Sequence, residues 1–225
     1  MEYISVTQVL DYFKPPQLVN WILRVGKRES GLVSRKALKF GTRVHGLIHE
    51  EFKTGAYKLV PKDSLEVRNC MKAWEEFKDH YSPKIYDMEV EMTDTVYGLI
   101  GHRDMIVNIG GKPVLVDIKA SSSIRENYWL QVNAYKYLSM DLGVHHVGIL
   151  RFDKVLGTYE YKEQDYDPKL KDVFYGLLEA YRFYNKGEKS DADTSARVAD
   201  SKERSGPKMV LPKARSNWPI WNRKE

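Results

Sequence analysis

Apolar and polar positions divide the chain into short helical and strand-like stretches. Val9, Leu10 and Phe13 recur at helical spacing within residues 3–13, behind Ser5 and Thr7 as N-cap candidates. Pro15 and Pro16 end that turn and open a helix over 17–25, with Gly26 as its C-cap. Residues 27–36 show no apolar stripe and are expected to form a basic loop or loosely held helix. A helix over 38–52 follows, striped by Leu38, Val44, Leu47, Ile48 and Phe52. Another over 64–81 carries Leu65, Val67, Met71, Trp74 and Phe77. Ile85, Met88, Val90 and Met92 predict a strand over 84–93, with Glu89 and Glu91 expected in solvent on its other face. Further on come a helix over 128–140, strands over 146–152 and 158–162, and a closing helix over 167–185. The fold class this predicts is α/β, a central mixed sheet flanked by helices, with a helical N-terminal portion.

Residues 98–119 predict a β-hairpin turning on Gly110 and Gly111, since both glycines tolerate positive φ. A two-residue loop sets Ile109 against Lys112, so opposed residue numbers sum to 221. Asp104 then faces Asp117, and His102 faces Lys119, all on one side of the strands. Opposed carboxylates would have β-carbons about 4.5–5.5 Å apart. Like charges so placed call for a divalent cation with oxygen ligands, and Lys119 stands beside the same spot.

The bulk numbers leave room for this chemistry. The 225 residues are 42% hydrophobic and 30% charged, the balance of an ordinary globular protein. No run approaches the length of a membrane span, the N-terminus has no secretory h-region, and no Arg- and Ser-rich transit peptide is seen. A single cysteine, Cys70, excludes internal disulfides and four-cysteine clusters and reads as a small buried hydrophobe on a helix. A cytoplasmic setting, in a bacterium or a phage-infected host, is the expectation. Net charge is +5, and between residues 14 and 43 eight basic side chains accompany one acid, Glu29. Lys14, Arg24, Lys27, Arg28, Arg35, Lys36, Lys39 and Arg43 thus form a basic run leading into His45, read as a phosphate-binding patch against the alternative of a solvated helix face. Residues 1–187 are read as one domain, a helical arm over 1–60 and a core over 61–187. Residues 188–225 are read as a flexible charged tail. The tail's Trp218 and Trp221 are candidates for packing, base stacking or a protein partner. There is no phosphate-loop motif for ATP.

Four short motifs stand in order: G-x-x-x-H (Gly41 to His45), G-x-x-D (Gly101 to Asp104), D-x-K (Asp117 to Lys119) and Q-x-x-x-Y (Gln131 to Tyr135). Together they resemble the PD-(D/E)XK nuclease superfamily in its RecB-like exonuclease branch. The likeness is greatest to small stand-alone members, which include the mitochondrial genome maintenance exonuclease and phage-encoded relatives. The four cluster cysteines of CRISPR-associated and AddB-type nucleases are missing here.

The resemblance implies a metal-dependent DNA nuclease, an exonuclease on single strands or ends, serving recombination, repair or replication. A restriction-type or structure-specific endonuclease and a non-catalytic DNA-binding accessory module share the fold, and aspartates with only a structural role are a further alternative. By resemblance, Asp104, Asp117, His45 and the carbonyl of Ile118 hold Mg²⁺ or Mn²⁺, with the histidine tilting preference towards Mn²⁺. Lys119 positions or deprotonates water, and Gln131 and Tyr135 orient Lys119 or the scissile phosphate. The basic run holds the DNA backbone; Ser5, Thr7 and Ser121 either donate to phosphates or serve as caps and turns.

Overall fold

The structure is a computed structural model and describes residues 3–139 and 143–185. The chain divides into two compact units, Met1–Glu179 and Ala180–Glu225. The tail with Trp218 and Trp221 lies outside the described residues.

In chain order the elements are β1 (Ile4–Ser5), α1 (Val6–Tyr12), α2 (Pro16–Val25), α3 (Lys27–Thr54), α4 (Leu65–Tyr81), β2 (Lys84–Asp94), β3 (Leu99–Ile109), β4 (Lys112–Lys119), α5 (Glu126–Leu138), β5 (His146–Asp153), β6 (Thr158–Asp165) and α6 (Pro168–Asn185). Among the described residues no helix is long and apolar enough to cross a membrane. The α/β architecture with a helical N-terminal portion is the one the hydrophobic pattern predicts.

At α3 the structure decides between two alternatives and corrects the packing expected of two residues. Of the two forms expected for residues 27–36, basic loop or loosely held helix, the helix is found: they are the first part of a 28-residue helix. They show no stripe because this half is exposed almost all round, from Leu32 to Lys39. A stripe appears only where the helix meets the core, at Val44, Leu47 and Ile48. Leu38 and Phe52, expected to pack, are 69% and 39% exposed.

β3 organises the six-stranded sheet. Along one edge it pairs antiparallel with β2, from Leu99↔Asp94 to Asn108↔Lys84. Its other edge is shared. β1 pairs parallel at Leu99 and Ile100, and β4 pairs antiparallel from Met105 to Ile109. The turn is the expected one, with Gly110 at φ 59° and Gly111 at φ 87°. The sum of 221 holds for all five ladder pairs, Met105↔Val116 to Ile109↔Lys112. The ladder stops there, so the strands fork one step before Asp104 and Asp117. β4 continues parallel to β5 through the crossover helix α5, and β6 closes the edge antiparallel to β5.

Helices cover both faces. Val44, Leu47 and Ile48 of α3 and Met71, Trp74 and Phe77 of α4 pack with Met105, Val107, Val116 and Ile118. Each such buried side chain contributes roughly 1.5–3 kcal/mol. Cys70 is fully buried in this cluster, as a small hydrophobe. Glu51 accepts from Trp74 Nε1 at 2.6 Å and from Lys78, tying α3 to α4. α5 covers the opposite face. A Cβ on Gly101 would lie 3.0 Å from both Tyr135 and Leu138, so only glycine lets α5 sit this close to β3.

Candidate metal centre

The fork between β3 and β4 gathers the sequence-predicted residues. Ile118 packs its side chain in the α3–α4 core. Side chains alternate along a strand, so its neighbours Asp117 and Lys119 point to the α5 side. Asp104 replaces the missing ladder bond with its own side chain: Oδ2 accepts from the Ile118 N–H at 2.6 Å. His45 reaches the fork from α3, with Nε2 3.2 Å from the Ile118 carbonyl and Nδ1 3.5 Å from Asp104 Oδ1.

A residue the sequence reading missed completes the cluster. Glu89, expected in solvent, sets Oε1 3.3 Å from His45 Nδ1. The cause is a local break in β2. The register shifts between Ile85 and Asp87, and Glu89 adopts φ 52°, rare for a residue with a side chain. Glu89 and Asp104 fall between the pairs Met88↔Met105 and Val90↔Arg103. The sequence carries a trace of this break: the apolar alternation slips by three from Ile85 to Met88.

His45, Glu89 and Asp104 each offer a ligand atom within 4.8 Å of the others. Asp117 stands beside this cluster. Its Oδ2 pairs with Lys119 Nζ at 2.7 Å, and its buried Oδ1 has no hydrogen-bond partner among the described residues. The Lys119 ammonium also lies 5.2 Å from the centre of the Tyr128 ring on α5, a contact the sequence reading did not foresee.

The electrostatics follow from crowding. Burial alone would lower the His45 pKa, but the Asp104 charge and the Glu89 hydrogen bond and charge lift it to about 9. Burial raises the Asp104 carboxyl, and the Asp117 charge adds to it against His45 and Lys119. Burial works against the Lys119 ammonium, but Asp117 and Asp104 raise its pKa. Burial also raises Glu89, which His45 brings back below the ordinary range. An imidazolium thus sits among carboxylates where a metal would compete for them. With His45 neutral, three carboxylates against one ammonium leave two negative charges, which a divalent cation would neutralise. Carboxylates, one carbonyl and one imidazole suit Mg²⁺ or Mn²⁺, and the buried Asp117 Oδ1, without a partner among the described residues, is an acceptor awaiting one.

The remaining predicted residues separate. Gln131 Nε2 donates to Tyr135 Oη at 2.8 Å, and burial, followed by the Asp117 charge, raises the Tyr135 pKa. Arg24, Lys27, Arg28, Arg35, Lys36 and Lys39 are exposed. Arg43 is engaged instead: Nε and Nη2 donate to Asp63 at 2.8 and 2.7 Å, and Nη2 to the Lys58 carbonyl. Ser5 caps α1 by accepting from the Gln8 N–H, with Thr7 Oγ1 3.1 Å from its hydroxyl. Ser121 donates to the Ser123 carbonyl in a turn. Beside the cluster a groove of about 620 Å³ runs along α3 past Gly41, His45 and His49. A Cβ on Gly41 would meet nothing within 4 Å, so that side is open.

No family model matches the chain. No curated protein matches it either. Among solved structures it is similar to SSO0001, with 15% identity and a TM-score of 0.44 over 82% of this chain and 77% of that one. It is also similar to an alkaline exonuclease, LHK-Exo, from Laribacter hongkongensis: 13% identity and a TM-score of 0.45 over 89% of this chain and 92% of that one. LHK-Exo in complex with dAMP gives 14% and 0.42, over 89% and 94%.

Proposed function

We propose that the chain is a metal-dependent deoxyribonuclease of PD-(D/E)XK type, an exonuclease that hydrolyses phosphodiesters in single-stranded DNA or at DNA ends. The observation that carries this is the fork: Asp104 and Asp117 diverge beyond the last ladder pair, with His45 and Glu89 on one side and Lys119 on the other. His45, Glu89, Asp104, Asp117 and the Ile118 carbonyl are the groups that would hold Mg²⁺ or Mn²⁺. A bound divalent ion supplies Lewis-acid activation of water and neutralises charge on the phosphate.

The chain's own residues do the rest. Lys119, paired with Asp117, positions or deprotonates the attacking water and, as an ammonium, offsets charge developing on the phosphate. Gly101 lets Tyr135, bonded to Gln131, press against β3 and fix α5 over the site. The exposed bases of α2 and the first half of α3 take DNA phosphates; Arg43, bound to Asp63, supports the fold. The test is digestion of end-labelled linear and closed-circular single-stranded DNA with Mn²⁺. An exonuclease degrades the linear strand and spares the circle; equal cutting of both replaces this reading by an endonuclease.

A further inference from the structure

The groove beside the metal centre contains one hydrogen-bonding side chain that the proposed chemistry does not use. Ala37, Leu38, Gly41 and Gly46 bring no polar side-chain atom to its wall. The Thr42 hydroxyl is spent on the Leu38 carbonyl at 3.0 Å. His45 and Glu89 belong to the cluster. That leaves His49, half-buried, with no hydrogen-bond partner among the described residues.

We propose that His49 is a substrate-contact residue, donating a hydrogen bond to a DNA phosphate adjacent to the scissile one. The inference rests on the nuclease reading above. His49 lies four residues after His45, so the two share a face of α3 about 6 Å apart along the helix. That rise is comparable to the separation of neighbouring phosphates on an extended strand. One turn further, Lys53 adds positive charge on the same row: with burial it lowers the His49 pKa, against Glu89. A neutral imidazole there still offers one N–H donor, and a bound phosphate would favour its charged form. The substrate strand therefore runs lengthwise along α3, over the open side of Gly41, past His45 and onto His49.

The experiment measures the Kd of the full chain for a short dye-labelled oligothymidylate by fluorescence anisotropy in EDTA. His49→Ala is expected to weaken binding about tenfold, as for loss of one charge-assisted hydrogen bond. His49→Lys, which keeps a donor, is expected to restore most of it. Both variants are checked for an unchanged melting temperature, with His49→Gln standing in for either that fails. A Kd that stays within about twofold of wild type in His49→Ala overturns the proposal. Mn²⁺-dependent cleavage by wild type and Asp104→Ala is run in parallel. Equal cleavage by those two removes the nuclease reading, whereas an unchanged Kd with normal cleavage removes only the role of His49.

Discussion

Lys119 Nζ stands 2.7 Å from Asp117 Oδ2, while the other carboxylate oxygen, Oδ1, is buried with no hydrogen-bond partner among the described residues. A buried acceptor so left costs about 1–3 kcal/mol, more when charged. A cation that Asp117 helps to hold should return this. Mn²⁺ at a hundredfold excess over its Kd should stabilise wild type by about 2.7 kcal/mol, raising Tm by roughly 5–10 °C. Asp117→Asn should lose most of that rise. Differential scanning fluorimetry with and without Mn²⁺ checks it, and an undiminished rise in the variant would remove Asp117 from the metal site.

Glu89 gives a second prediction, because its place depends on the break in β2. Glu89→Gln keeps the shape and removes the charge beside His45. Metal affinity should fall by about 10–100-fold, read from the Mn²⁺ dependence of cleavage. A curve superimposable on wild type would make Glu89 a neighbour without function.

The pH dependence of the metal-free protein follows from His45. Its folded pKa, about 9, lies above the ordinary 6.5, so the charged form is favoured by folding. This stability is complete below about pH 6.5 and is lost as pH rises through 9. The full amount is about 2–3 kcal/mol after allowing for partial exposure. In EDTA the wild-type Tm should fall by several degrees across that window, and the fall should be smaller in His45→Gln. Parallel curves for the two proteins would show that the imidazolium is not stabilised as described.

Gly101 tests how α5 is seated. Gly101→Ala sets a methyl 3.0 Å from Tyr135 and Leu138, and such overpacking costs about 1–3 kcal/mol. The Tm should drop by roughly 2–4 °C per kcal/mol. Cleavage at a temperature where the variant is folded should also slow, because Tyr135 moves with the helix. An unchanged Tm would mean that the two layers have room to spare.

How far the sequence discloses all this depends on what each residue's signal encodes. The hairpin is legible because Gly110 and Gly111 state their φ requirement and fix the register of Ile109 on Lys112. Local spacing does not encode where that ladder ends. The fork arises because β1 holds the start of the β3 edge while the Asp104 side chain takes the Ile118 N–H. The G-x-x-x-H and Q-x-x-x-Y pairs are legible because four residues make a helical turn, although the reason for Gly101 appears only with Tyr135 against it. Glu89 was hidden by alternation: its strand reads apolar-in, polar-out, and a positive φ at one residue turns an exposed position into a site position. The first half of α3 stayed undecided between loop and helix for the opposite reason, since residues 32–39 are exposed all round and leave no stripe to read. Arg43 and Glu51 belong to charge runs, and only their partners, Asp63 and Trp74, distinguish them from solvated neighbours.

The most direct test of the metal-dependent nuclease is a cleavage time course on end-labelled single-stranded DNA with Mn²⁺, comparing wild type, Asp117→Asn and Lys119→Ala. Preorganised charges of this kind typically carry about 10²–10³ in rate each. The account predicts shortening of the strand by wild type, no cleavage in EDTA, and at least that loss in both variants. Equal cleavage by all three proteins, or cleavage by wild type that persists in EDTA, would contradict it.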